Sequence, residues 1–146
     1  MHGVIEIFTE REEIIKAIRR FQANIKKFWG AYVDSSVPSF STGEVKQGYM
    51  DAKKRGVNIM YITEITKENI KYCREIADYA QLRHIAGIKG AFALSDTEYI
   101  VGIKQGDELI SLLRTNINEL VRQQRYIFDK LWELALPASE RIREIP

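Results

Sequence analysis

The chain has 146 residues, 45% of them hydrophobic and 29% charged, with a formal net charge of +2. That length buries one core without metal or disulfide help, and so small a net charge gives no general argument for a nucleic-acid partner. One cysteine, Cys73, excludes an internal disulfide and a zinc cluster, so a reducing, cytoplasmic setting is expected. No apolar run approaches the ~18 residues that span a bilayer, and the N-terminus lacks a signal-peptide profile.

Thr9 opens the segment TERE, which predicts a capping box shared with Glu12. Ile14, Ile18, Phe21, Ile25 and Phe28 then alternate steps of four and three, so they share one face of a helix. Lys16, Arg19, Arg20, Lys26 and Lys27 lie opposite, either as a solvated face or as a patch for anions. Residues 28–34, FWGAYVD, are aromatic and β-branched and read as a buried strand. After the loop SSVPSF, Ser41 and Glu44 predict a second capping box and a helix to about Arg55, ended by Gly56. Residues 57–63 are a strong second strand, and Thr66 is placed to cap a third helix. Ile70, Cys73, Ile76, Ala77 and Ala80 would face inward on that helix, which makes Cys73 a small core hydrophobe.

Residues 90–94 and 99–103 flank Ser95-Asp96-Thr97-Glu98 and read as an antiparallel hairpin. Strand–helix–strand order before them implies a parallel pair with a helical crossover. The fold class is therefore α/β, a mixed sheet flanked by helices. Residues 107–134 read as one long helix, with Ile110, Leu113, Ile117, Leu120, Gln124, Ile127, Leu131 and Leu134 forming a heptad seam. That seam, with one polar position at Gln124, can zip two copies into a homodimer. Val121, Phe128 and Trp132 widen it into a face that fits packing on the sheet. Pro137 starts a new turn, so residues 1–136 are expected to form one domain and 137–146 a short helical extension toward an output domain.

No Gly-rich phosphate loop, serine elbow, Cys–His pair or metal-ligand spacing occurs, so neither cofactor nor metal is expected. The two histidines are His2, at the terminus, and His84. Ligands of open α/β sheets bind outside the carboxyl ends of the strands. Those ends carry Asp34, then Thr63 and Glu64, with Arg83, His84 and Lys89 nearby. These groups form either a small polar ligand site or an internal salt-bridge network. Trp29 and Tyr32 would be its aromatic wall, or else core.

The phrases RGVNIMYITEITKENIKYCREI, LRHIAGIKGAFALSDTEYI and RQQRYIFDKLWELALPASERIREI are similar to a sensory domain attached to archaeal signal-transduction histidine kinases. The resemblance is good over residues 45–146 and weak over the first 40. That family in turn resembles one half of the phospholipase D fold. Enzymes of that superfamily carry a histidine, a lysine two residues on and an aspartate five beyond the lysine. With Lys89 on the lysine, Gly87 takes the histidine position and Leu94 the aspartate position. The resemblance thus implies a chain that is not an enzyme. It implies a sensory or regulatory domain that binds an unidentified small ligand or partner and relays it through the C-terminal helix to a downstream kinase or output domain. On this reading nucleic acid is not the expected partner. The alternatives are a degenerate phospholipase D-like phosphodiesterase with His84 as a displaced nucleophile, and a nucleic-acid-binding module using the basic first helix.

Overall fold

The structure, a computed structural model, describes residues 3–146, so His2 lies outside the described residues. A short strand that the apolar pattern did not announce, β1 (Ile5–Phe8), precedes helix α1 (Arg11–Asn24). Ile14, Ala17, Phe21 and, just past the helix, Ile25 are buried, as the spacing requires. Thr9 does not cap this helix; Glu10 holds the extended cap position without a side-chain bond. Strand β2 (Phe28–Val33) leads into a 3₁₀ turn (Val37–Phe40), helix α2 (Gly43–Lys54) and strand β3 (Asn58–Thr63). The box at Ser41 does not form either: the Ser41 amide closes the 3₁₀ turn on the Pro38 carbonyl, and α2 starts after Thr42. Gly56 ends α2 at φ +88°, the left-handed conformation that glycine adopts without steric cost. Thr66 does cap. Its hydroxyl accepts the Asn69 amide at 3.2 Å while the Asn69 carboxamide accepts the Thr66 amide at 2.8 Å, one turn ahead of helix α3 (Ile70–Ile76). Cys73 and Ile76 are buried on α3, whereas Ala77, at its end, faces solvent.

Strand β4 (Gln81–His84) follows α3, and the predicted hairpin is β5 (Ala91–Leu94) with β6 (Tyr99–Gln105). The structure replaces the first third of the expected long helix by an eight-residue strand, β7 (Glu108–Thr115); helix α4 runs only from Asn118 to Leu134. β7 turns back from Gly106, at φ +62°, and bonds β6 on one side and β1 on the other. Ladder bonds on both flanks outweigh a helical spacing that only Ile110 and Leu113 supported in this segment. The continuous seam that would have joined two copies along 107–134 therefore does not exist. On α4 itself Val121 and Phe128 are buried, Leu131 and Trp132 are half-buried, and Leu134 is 80% exposed, so the widened face packs on the sheet.

Eight strands form one mixed sheet in the order β1-β7-β6-β5-β2-β3-β4-β8, the last being the two residues Leu136–Pro137. β2, β3 and β4 are parallel; β5, β6, β7, β1 and β8 join antiparallel. Side chains alternate across β2: Trp29, Ala31 and Val33 enter the core beneath α1, α2 and α3, while Phe28 and Tyr32 enter the core beneath α4. Helix α5 (Ala138–Glu144) lays Ala138 and Ile142, with the following Ile145, on the first of these cores. Two close approaches fix the layers. A Cβ on Gly48 would collide with the buried Gln22 side chain of α1, and one on Gly30 would stand 3.0 Å from the Phe128 ring of α4.

Candidate functional site

Parallel pairing of β2 with β3 and of β3 with β4 brings three strand ends to one edge. Asp34, the first residue past β2, accepts the Ser36 amide at 2.9 Å and the Ser36 hydroxyl at 2.6 Å. Lys104, from the far end of β6, reaches the same carboxylate at 2.8 and 3.0 Å and also contacts the Ser36 hydroxyl. Burial pushes the Asp34 carboxyl up, but the Lys104 ammonium and the two Ser36 donors outweigh it and hold the carboxyl below its ordinary range. Thr63 is fully buried and donates its hydroxyl to the Asp34 carbonyl at 3.2 Å. Lys89 is exposed on the rim of the cleft that Asp34, Ser36 and Lys104 line, a space of about 390 Å³.

Glu64 and His84 form a second group. Glu64 accepts the Gly87 amide at 3.2 Å, and His84 Nδ1 accepts the Ile65 amide at 2.9 Å. Burial, and then the Arg141 guanidinium, pull the imidazole below its ordinary value, against the opposing pull of Glu64 and Glu144. Neutral His84 therefore keeps its proton on Nε2, which makes that atom a donor and not a nucleophile. Arg83 belongs to neither group: it donates to the Trp132 carbonyl at 2.8 Å and lies 4.3 Å over the Trp132 ring, beneath α4. The six sequence candidates thus fall in three places. Lys104 and Arg141 are the partners that sequence reading missed; a lysine closing an otherwise apolar strand was the one signal for the first, and nothing local marked the second. Trp29 and Tyr32 belong to the two cores, Trp29 stacked on Tyr49 at 4.0 Å. Burial pushes the Cys73 thiol up to about 12, which suits a core residue and not a nucleophile.

The opposite, amino edge of the sheet is basic. The Arg55 guanidinium donates to the Gln22 and Ile25 carbonyls at 2.9 Å each, tying the end of α2 to the end of α1. Lys26 and Lys27, which follow Ile25, and Lys53 and Lys54, which precede Arg55, are all four exposed and, among the described residues, none is in an ion pair. The basic face expected along α1 is broken up instead. Arg19 donates to the Glu44 carbonyl, Arg20 lies over the Phe8 ring, and Lys16 pairs with Glu13. Among the described residues no three His, Cys, Asp or Glu side chains gather to hold a metal ion, and no helix is long and apolar enough to cross a membrane.

No protein-family model and no curated protein matches this sequence. Solved structures do. Over 93% of its length the chain is similar to NucT from Helicobacter pylori, with a TM-score of 0.78, 13% identity and 99% of that chain covered. It is similar over 93% of its length to Nuc from Salmonella typhimurium, a phospholipase D family member, with a TM-score of 0.75, 14% identity and 98% of that chain covered. Over 92% of its length it is similar to TrmBL2, an archaeal chromatin protein with a novel mode of DNA binding, at a TM-score of 0.66 and 11% identity. There it spans only about half, 53%, of the matched chain.

The fold is therefore phospholipase D-like. The expectation that the chain is not an enzyme does not stand: nearly its whole length has the fold of a phospholipase D family member. None of the three matched proteins is described as a kinase sensor, so the expected link to histidine kinases gains no support.

Proposed function

We propose that this chain binds the phosphate backbone of a nucleic acid through Lys26, Lys27, Lys53 and Lys54. The observation that carries the reading is the tie between their segments: Arg55 donates to the carbonyls of Gln22 and Ile25, and each segment brings two exposed lysines next to that tie. Lysine clusters of this kind bind by releasing counterions from phosphate, without reading sequence. The likeness to TrmBL2, which binds DNA, supports the reading and weighs against the expectation that nucleic acid is not a partner. The test is binding of a short labelled duplex across a salt series. Log affinity should fall linearly with log salt, and replacing all four lysines by alanine should flatten the slope by about 0.9 for each phosphate no longer neutralised. No binding at low salt, or an unchanged slope, refutes it.

A second reading, phosphodiester hydrolysis in the cleft beside Asp34, is favoured by Lys89, which the resemblance sets on the motif lysine and which lines that cleft. Since His84 Nε2 holds a proton, its removal should spare turnover of bis(p-nitrophenyl) phosphate while Lys89→Ala abolishes it. No turnover by the parent chain removes this reading and leaves the first untouched.

A further inference from the structure

β5 lies in the interior of the sheet, between β2 and β6, yet Ala91 and Ala93 on its α1-facing side are only half-buried. Their cross-strand neighbours on that face include Gly102. Residues this small cannot reach the helix layer above them, and a cleft of about 1080 Å³ opens between the sheet and the roof made by Ile15, Ile18 and Phe40. Leu109 closes one wall, and Trp29 lies at the deep end. The volume is close to the upper end of the range of small-molecule sites, and the lining is mostly apolar as in such sites. The rim is charged. Glu44, Asp107 and Glu108 are exposed there against, among the described residues, one free cation, Arg11, because the ammonium of Lys104 is held by Asp34. Three carboxylates against one guanidinium leave two net negative charges at the mouth.

We infer that this cleft binds a small cationic amphiphile, its apolar body on Ala91, Ala93 and Gly102 and its positive head at Asp107 and Glu108. The site lies on the far side of β5 from α4 and apart from the lysine edge. Octyltrimethylammonium, octanol and octanoate, titrated into the full chain and followed by Trp29 fluorescence in a Trp132→Phe background, test it. The cation should bind saturably and about fivefold more tightly than octanoate, with octanol between. Ala93→Leu fills the floor and should weaken all three at least about tenfold. Should that variant not fold, Asp107→Asn with Glu108→Gln, both exposed, decides: octanol binding should persist while the preference for the cation disappears. Equal affinities for the three, no saturable binding of any, or a preference that survives the rim variant overturns the inference.

Discussion

Asp34 and Lys104 are seventy positions apart in sequence and form the tightest ion pair at the carboxyl edge, with side chains only 16% and 11% exposed. Because the folded carboxyl sits below its ordinary range, the pair stabilises the fold above the unfolded carboxylate pKa, and that stability is lost as pH falls through the lowered folded value. Lys104→Met should destabilise the chain by about 1–2 kcal/mol at neutral pH in urea unfolding. Parent and variant should converge only once the pH has fallen below the lowered folded value of Asp34; a gap that persists after Asp34 is protonated would assign the loss to packing of the lysine stem. Asp34 was legible in the sequence because a strand end announces itself by an acid after an aromatic run. Lys104 was not, since the registers of β5 on β2 and of β6 on β5, which carry it to Asp34, are set by pairing between distant segments. The same limit hid Arg141, whose guanidinium donates to the Ile65 carbonyl at 3.0 Å from the other end of the chain.

Among the elements, those with unambiguous period were readable: α1, β2, α2, β3 and the β5–β6 hairpin all lie within a few residues of where apolar spacing puts them. β7 was not, because Ile110 and Leu113 satisfy a step of three while Leu112, its one buried hydrophobic residue, breaks it. β1 and β4, four residues each, are too short to show a period. The packing of α1 on α2 offers a sharp test of how the helices are held. Gln22 is buried and donates to the Val45 carbonyl at 3.0 Å, in space that only a glycine at 48 leaves open. In a free helix Gly48→Ala would gain about 1 kcal/mol of propensity. Here it must displace Gln22, and a net loss of about 2 kcal/mol is expected from overpacking and the broken bond. A raised melting temperature for Gly48→Ala would show that the two helices slide apart freely.

At the scale of the whole molecule, the C-terminal residues are part of the fabric: β8 pairs with Arg83 and His84 of β4, and Ile142 and Ile145 pack on the main core. Deleting residues 136–146 should cost about 3 kcal/mol of buried apolar surface. Calorimetry should then show melting about 10 °C lower, and an unchanged transition would make the segment an appendage. The class of fold was legible from strand–helix–strand order, but the size of the sheet was not, since four of its eight strands are too short or too ambiguous to declare themselves. The two ends of that sheet differ in kind. β8 is two residues long and carries Pro137, which has no amide to donate, whereas β1 presents a free backbone edge beside exposed Ile5 and Ile7. Strand addition between copies therefore has one usable side per molecule. Two chains that meet there use up each other's edge, so association by this route terminates at a two-fold pair and has no way to grow into a fibre.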